Sequence, residues 1–436
     1  MPSTLDRSLL AIERETSALT LPESRHGYDE ARRVFNSMFD RRPSAIVRPR
    51  QSSDIERIVS ILVQDGHRFT IRGGGHSIAG TCVADGTVML DMSLLRRVTF
   101  DETTGIASAE PGALWCDYDA VTTRFGVAST GGIVSHTGVA GLVLGGGLGW
   151  LMGLAGLGCD ALVGVDCYSS AGHVEHLDED DPDLQLFRGA GRSLGVATEL
   201  RFRPIPIPSQ ITAGRATTPL ESAAEMFHLT DTSSEGWPAW VTVSPALVNR
   251  DGRWIGILDF VSTESTEKTT EVVRRCLPSD HRIQIDQMPY CEAQRLLDTE
   301  LRFGRRNYWK SVASDKMDLE TCEHLVEHIQ ASPSPQSFVS VDVVHGAALR
   351  EPVGGSSYRL RDKRYVILFN TIWIDPADDT RNIEWCSKGF AALTRDTGED
   401  GTYSNYFSED DVDSQPGSSV ELDAAARDRW DIPGLL

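Results

Sequence analysis

The chain has 436 residues, 40% of them apolar and 24% charged, enough for two or three domains with full hydrophobic cores. Its formal net charge of -21 speaks against a nucleic-acid partner and against docking on an anionic membrane, both of which need a basic face. An anionic cofactor remains compatible, because backbone N–H groups can hold one locally. Eight scattered cysteines form no CxxC pair, so a zinc knuckle, a dithiol redox motif and any bound metal are not expected.

The first 24 residues lack the apolar core of a signal peptide, and no apolar run is pure enough to span a bilayer; the expected location is cytoplasmic. Apolar spacing predicts a helix over Tyr28–Phe39, closed by Pro43. A short strand Ala45–Val47 follows, then a helix capped at Ser53-Asp54 and carrying Ile55, Ile58, Val59 and Leu62. Phe69–Ile71 reads as a strand running into Arg72-Gly73-Gly74-Gly75-His76-Ser77-Ile78-Ala79-Gly80. Further strands are expected at Thr87–Leu90 and Gly105–Glu110, and a helix at Leu114–Thr122. A second glycine concentration runs from Gly131 to Trp150. Leu162–Tyr168 and Val174–Leu177 read as a hairpin, and Val196–Phe202 as an alternating strand.

Three prolines at alternate positions, Pro204, Pro206 and Pro208, mark a domain boundary. After it, strands at Trp240–Val243, Trp254–Val261, Phe338–Val344 and Tyr365–Ile374 are separated by helices at Leu220–Leu229, Thr266–Leu277 and Leu319–Ile329. That pattern is an α+β layer. A further helix is expected near Asn382–Leu393, and the acidic stretch Glu409–Asp413 reads as a solvated loop.

Three glycines after a strand allow a sharp turn and a close backbone approach to a ligand. Their N–H groups make an anion site, and His76 at its edge is a neutral nucleophile at physiological pH. Neither glycine cluster fits G-x-G-x-x-G after a strand or contains GK[ST], so Rossmann and P-loop readings fail. Two cradles fit a dinucleotide with a pyrophosphate and a second polar end. His324-Leu325-Val326-Glu327-His328 matches H-x-x-E-H, but Glu323 and Glu327 on the same helix make it a solvated face. No G-x-S-x-G elbow supports a hydrolase. Tyr403 and Tyr406 flank Asn405, and their plainest reading is a half-buried strand. Asp342 sits in an apolar strand, where a carboxylate is costly to bury without a partner, and is a site candidate for that reason.

In order and spacing these motifs resemble the FAD-linked oxidases of the berberine-bridge-enzyme-like branch of the vanillyl-alcohol-oxidase / p-cresol-methylhydroxylase superfamily. The resemblance runs from Tyr28-Asp29-Glu30-Ala31-Arg32 to Trp430-Asp431, through both glycine clusters, Asp181-Pro182-Asp183-Leu184, Gly195-Val196-Ala197-Thr198, Tyr308-Trp309-Lys310-Ser311 and Tyr403-Ser404-Asn405-Tyr406. It implies an α+β protein in which a two-part FAD-binding domain, residues 1–208 plus 381–436, embraces a central substrate domain, 209–380, with a largely antiparallel sheet. FAD would contact Arg72, Gly73, Gly74, Gly75, His76, Ser77 and Gly80 in the first cradle. In the second it would contact Gly132, Val134, Ser135, Thr137, Gly138, Gly141, Gly145, Gly146, Gly147 and Gly149, with Gly195, Val196, Tyr403 and Asn405 completing the site. By resemblance His76 would be bonded to the flavin 8α carbon. Relatives that make a second bond use a cysteine where this chain has Val134, so a single covalent link is expected.

The chain departs from the family in two places. Where the family reads RGGGGNFG, this chain has Arg188-Gly189-Ala190-Gly191-Arg192-Ser193-Leu194-Gly195. The family's tail is represented only by Trp430–Leu436, so a final strand-like piece is expected to be absent.

The activity implied is that of an FAD-dependent oxidase taking a hydride from a small or medium organic molecule, such as a specialised metabolite, with O2 as electron acceptor and H2O2 released. Tyr403 is the expected base, Asn405 its support, Thr137 a residue beside the flavin and Asp342 a further catalytic candidate. Two alternatives stay open: a flavin-dependent oxygenase of the same fold, and a low-turnover flavin-carrying binding protein. The partner expected is a small-molecule substrate, and the sequence leaves oligomeric state open.

Overall fold

The computed structural model describes residues 2–398, 401–414 and 424–436. A four-stranded sheet forms first. In it Leu19–Pro22 pairs antiparallel with Ala45–Arg48, which runs parallel to Val88–Asp91 and through it to Phe69–Arg72. The helix Asp54–Gln64 covers this sheet with Ile55, Ile58, Val59, Ile61 and Leu62 buried. A side-chain cap from Ser53 is not formed. A second sheet of five antiparallel strands is ordered 98–101, 106–109, 196–202, 162–168, 174–177. It contains the expected hairpin and the strand Val196–Phe202.

The third sheet has seven strands, all antiparallel, ordered 282–288, 211–219, 253–262, 241–250, 338–343, 365–373, 306–314. One face packs against the helices Ala223–Ser234, Leu319–Gln330 and Asp379–Thr397, which share a core with it. The helix Leu319–Gln330 is started by Asp318, whose side chain accepts from Thr321 N at 2.9 Å. Strands 211–219 and 306–314 lack a legible alternation, whereas Arg282–Met288, not among the expected strands, alternates in sequence and burial. Tyr308 through Ser314 is buried throughout, so the period-2 signal of a one-sided strand is lost. The stretch with alternate prolines does form a two-residue strand, Ile205–Pro206, but at the edge of a two-stranded ribbon with Val127–Ala128.

Three sequence expectations are corrected. The helix expected over Tyr28–Phe39 ends at Ala31. Beyond it Phe35 N donates to Gly75 O at 2.9 Å, and Asn36 Nδ2 donates to Ile78 O and Asn307 O, both at 2.8 Å. Helical geometry is given up to brace the first glycine loop. The acidic stretch expected as a solvated loop is the helix Glu409–Ser414, tied down by Lys310. Tyr403-Ser404-Asn405-Tyr406 is a helical turn and not a strand.

The C-terminal residues return to the first half of the chain. Trp430 is fully buried, meets Phe187 edge-on with ring centroids 5.1 Å apart, and donates from Nε1 to Asp183 at 2.9 Å. Phe69 N donates to Gly434 O at 2.8 Å, beside the strand that feeds the glycine loop. A cluster including Phe35, Val134, Trp150, Tyr290, Trp309 and Leu368 joins the two glycine loops to the seven-stranded sheet. Among the described residues no helix is long and apolar enough to cross a membrane.

Candidate active site

The strand Phe69–Arg72 delivers the chain into the first glycine loop at the rim of a long cleft. A Cβ added at Gly74 would lie 2.5 Å from Gly138 N, and one added at Gly138 would lie 2.6 Å from Gly74 N. The two loops therefore touch backbone to backbone, which only glycine at both positions permits. Gly146 and Gly147 adopt φ of 120° and 101°, backbone that disfavours any side chain. Tyr403 fastens this turn: its hydroxyl accepts from Gly147 N at 2.8 Å, from Leu148 N at 3.3 Å and from Asn405 Nδ2 at 2.5 Å. Asn405 Nδ2 also donates to Leu142 O at 3.1 Å.

At one end of the cleft His76 stacks on Phe35, with ring centroids 4.1 Å apart, and Phe303 meets it edge-on at 5.3 Å. Its Nε2 is 2.7 Å from Nδ1 of His136. His136 Nε2 in turn lies 4.0 Å from Asp298 Oδ1, and Asp298 accepts from Ser135 N and Oγ at 2.8 and 2.6 Å. Burial, and secondarily the neighbouring His136, depress the His76 pKa to about 3, so the ring is neutral with a free lone pair. Burial also lowers His136, against the pull of Asp298.

The apolar wall of the cleft is built by Trp309, Phe338 and Leu368 of the seven-stranded sheet together with Leu301 and Tyr406. Behind it Asp342, 7% exposed, accepts from Tyr406 Oη at 2.9 Å. Burial raises the Asp342 pKa to about 6, and the Tyr406 hydrogen bond partly opposes the rise. Tyr403 is pushed up to about 12 by burial.

Of the residues singled out in the sequence, Gly73, Gly74, Gly75, His76, Ser77, Gly132, Val134, Thr137, Gly138, Gly141, Gly195, Tyr403 and Asn405 line this single cleft. Others support it from behind. Arg72 turns to Ala31 O and Asp91, and Gly80 packs under the ring of Phe39. Ser135 holds Asp298, Val196 lies in the core, and Gly145, Gly146, Gly147 and Gly149 shape the turn. The histidines of the H-x-x-E-H stretch are spent elsewhere: His324 pairs with Asp396 at 3.1 Å and His328 stacks on Trp385. Sequence reasoning missed Phe35, Asp298 and Arg192. Phe35 and Asp298 carry no local motif and reach the site only through the fold. Arg192 was legible as a cation inside a glycine-rich stretch.

Paired glycine loops in backbone contact, with a neutral imidazole and an apolar wall along the same cleft, fit an elongated anionic cofactor with a flat ring. Cβ atoms at Gly74 or Gly138 would close the cradle that makes this fit possible. Fold and site define a protein built to hold a dinucleotide-like cofactor between its glycine loops. Residues 43–178 match the FAD binding domain family. The chain is 25% identical over 350 residues to an FAD-linked oxidoreductase of Dictyostelium discoideum, covering 79% of this chain and 76% of that one. It is 30% identical over 190 residues to (R)-6-hydroxynicotine oxidase of Paenarthrobacter nicotinovorans, covering 43% and 42% of the two chains. The structure of berberine-bridge-enzyme-like 1 of Physcomitrella patens, as its D396N variant, superposes with a TM-score of 0.87 at 18% identity, over 98% of this chain and 97% of that one. The chain is thus an FAD-linked oxidoreductase that carries an FAD binding domain and has a fold similar to that of berberine-bridge-enzyme-like 1.

Proposed function

We propose that this FAD-linked oxidoreductase is an oxidase of a small or medium organic molecule bearing an oxidisable alcohol or amine carbon. When bound, FAD accepts a hydride from that carbon and passes two electrons to O2, which leaves as H2O2. The observation that carries the reading is the hydrogen bond from Tyr406, which lines the cleft, to Asp342 buried behind it. A carboxylate with a pKa of about 6 in a dry site is poised to take the proton released from the substrate as its hydride departs. Tyr406, which lines the cleft, would relay that proton to Asp342. This reading moves the base away from Tyr403, whose hydroxyl already accepts three hydrogen bonds. Tyr403 and Asn405 are then positioning residues that keep the second glycine turn in shape, and Thr137 lies along the cofactor.

His76 would carry the covalent bond to the flavin. His136 occupies its Nε2, which leaves Nδ1 for the cofactor. The tether would be single, because Val134 replaces the second nucleophile. Cys82, which also lines the cleft, is held as a neutral thiol, its pKa raised to about 11 by burial. The FAD-binding part would comprise residues 1–208 and the C-terminal segment. Because the helix Asp379–Thr397 packs on the seven-stranded sheet, the return point is best placed near Gly398 and not at 381.

The test is anaerobic mixing of the purified protein with a panel of alcohols and amines, 6-hydroxynicotine among them, while following flavin absorbance. Bleaching by a panel member, then recovery and stoichiometric H2O2 on admitting air, is the expected result. Incorporation of labelled oxygen into the product would replace the oxidase reading by an oxygenase. Tight ligand binding without bleaching would replace it by a binding protein.

A further inference from the structure

Among the described residues lining the cleft, one carries a full charge: Arg192. It stands where the resembling family has glycine. Its Nε and Nη2 donate to Gly141 O at 3.2 and 3.1 Å, its Nη1 donates to Ser404 O at 3.1 Å, and its Nη2 also bonds Asn405 Oδ1. All of these partners are neutral oxygens, and among the described residues no carboxylate lies within ion-pair distance of the guanidinium. Arg215, Arg306 and Arg361, all less exposed, are paired with Asp259, Asp379 and Asp160, whereas the buried Arg188 is held, like Arg192, by carbonyl oxygens. Arg192 is exposed and lines the cleft, held in place by neutral oxygens.

We propose that Arg192 is the counter-cation of the FAD diphosphate. Three lines converge on it. The diphosphate is the cofactor's only fully charged part, and Arg192 is, among the described residues, the one fully charged side chain that lines the cleft. Arg192 grips Gly141, three residues along the helix Val139–Val143 from Gly138, whose backbone packs on Gly74. Three residues of helix span about 4.5 Å, so the guanidinium stands beside the glycine contact that forms the anion cradle. The cradle's N–H groups must also work against the field of a chain with net charge -21, and a local cation offsets that repulsion. The planar guanidinium suits phosphate oxygens better than the amide oxygen it now contacts. Cofactor entry would draw Arg192 from Asn405 and Ser404 toward phosphate, which links FAD occupancy to the Tyr403–Tyr406 turn.

The inference rests on the flavin-dinucleotide cleft but not on the covalent bond, and its test separates the two. The parent is the wild-type chain if its flavin comes off on unfolding, and the His76→Ala chain if it does not. Affinities for FAD and for riboflavin, which lacks phosphate, are measured by flavin-fluorescence quenching at low and high salt for the parent, Arg192→Gln and Arg192→Lys. The expected result is FAD binding weakened about 10- to 100-fold in Arg192→Gln at low salt, partly restored by lysine, with a flatter salt dependence. Riboflavin affinity stays unchanged. Equal loss of FAD and riboflavin binding overturns the proposal in favour of a contact to the ring or a damaged fold. An unchanged FAD affinity overturns it outright. Should Arg192→Gln fail to fold, the lysine variant decides through the ratio of its FAD and riboflavin affinities.

Discussion

Tyr406 donates its hydroxyl to Asp342 across 2.9 Å and so joins the turn after residue 402 to the seven-stranded sheet at the wall of the cofactor cleft. The bond crosses 64 residues of sequence and sets a buried carboxylate one hydrogen bond behind a side chain that lines the cleft.

The first prediction concerns pH. Asp342 must be ionised to accept a proton, so kcat/KM should rise as pH increases through about 6 and level off above. Tyr406→Phe removes both the relay and the hydrogen bond that opposes the raised pKa, so kcat/KM should fall and its residual rise should move to higher pH. Asp342→Asn should lower kcat/KM by about 10²- to 10⁴-fold and abolish that limb of the profile. Stability should respond in the opposite sense. The folded-state pKa is raised, so Asp342's contribution is fully present below the ordinary value of 3.8 and is lost as pH rises to about 6. Above that the buried carboxylate costs about 3 kcal/mol, and Asp342→Asn should melt higher than wild type at neutral pH. A flat rate profile together with an unaltered melting temperature would remove Asp342 from the mechanism.

The second prediction concerns attachment of the flavin. His76→Ala should leave no flavin on the polypeptide after denaturation, seen as loss of gel fluorescence. His136 accepts or donates at His76 Nε2 and faces Asp298 on its other side, so it can take a proton as Nδ1 forms a bond. His136→Ala should bind FAD yet slow attachment by about 100-fold, read from a reconstitution time course. Because burial lowers its pKa, His136 stays neutral at mildly acidic pH, and attachment should persist there. Normal attachment in His136→Ala would leave the histidine pair with a packing role only.

Much of this site could be read in the sequence because glycine loops are local signals. Arg72 to Gly80 and Gly131 to Gly149 name both cradles by composition alone. The rest depends on long-range contacts. Phe35 stacks on His76 only because the chain leaves its helix at Ala31 to bond Gly75 and Ile78. Asp298 meets His136 across 162 residues (298 − 136), with no motif around it. The strands that hold Trp309 and Leu368 are buried on both faces, which erases the alternation a sequence reading relies on. The Tyr403–Tyr406 stretch has strand-like composition, but Tyr403 is claimed by the amides of Gly147 and Leu148, and the backbone turns to deliver it.

The third prediction separates cradle packing from cofactor fit. At Gly74 a methyl group meets the Gly138 backbone at 2.5 Å, so Gly74→Ala should lower the melting temperature of the cofactor-free chain, a loss of about 1–3 kcal/mol. Gly141 has open space around its Cβ position and lies in the helix Val139–Val143. Gly141→Ala should keep or raise the melting temperature of the cofactor-free chain, since alanine is favoured in a helix by about 1 kcal/mol. It lines the cleft, however, and should weaken FAD binding. Thermal melts with and without FAD distinguish the two. Matching losses of stability in both variants would mean that the loops carry no separable cofactor role.

The fourth prediction concerns Lys310, which secures the segment after the Tyr403–Tyr406 turn. Its side chain is 7% exposed and its ammonium bonds Asp410 at 2.9 Å and the buried Asp411. Burial alone would lower its pKa, but the bonds from Asp411 and Asp410 outweigh this and hold it above the ordinary value, so the group is charged. Asp411 also accepts from Ser408 N at 2.9 Å, and Ser408 Oγ accepts from Trp309 N at 3.0 Å. The pair thus fixes the chain two residues after Tyr406 against the strand that supplies Trp309 to the cleft. Lys310→Met strands a buried carboxylate and should cost about 3–5 kcal/mol in unfolding free energy, measured by denaturant melts. Activity should fall with it, because Tyr406 loses its anchor. Asp411→Asn in the same chain removes the stranded charge, and the double variant should regain stability relative to Lys310→Met. If both single losses simply add, packing of the lysine stem accounts for the damage and the ion pair contributes nothing to the position of Tyr406.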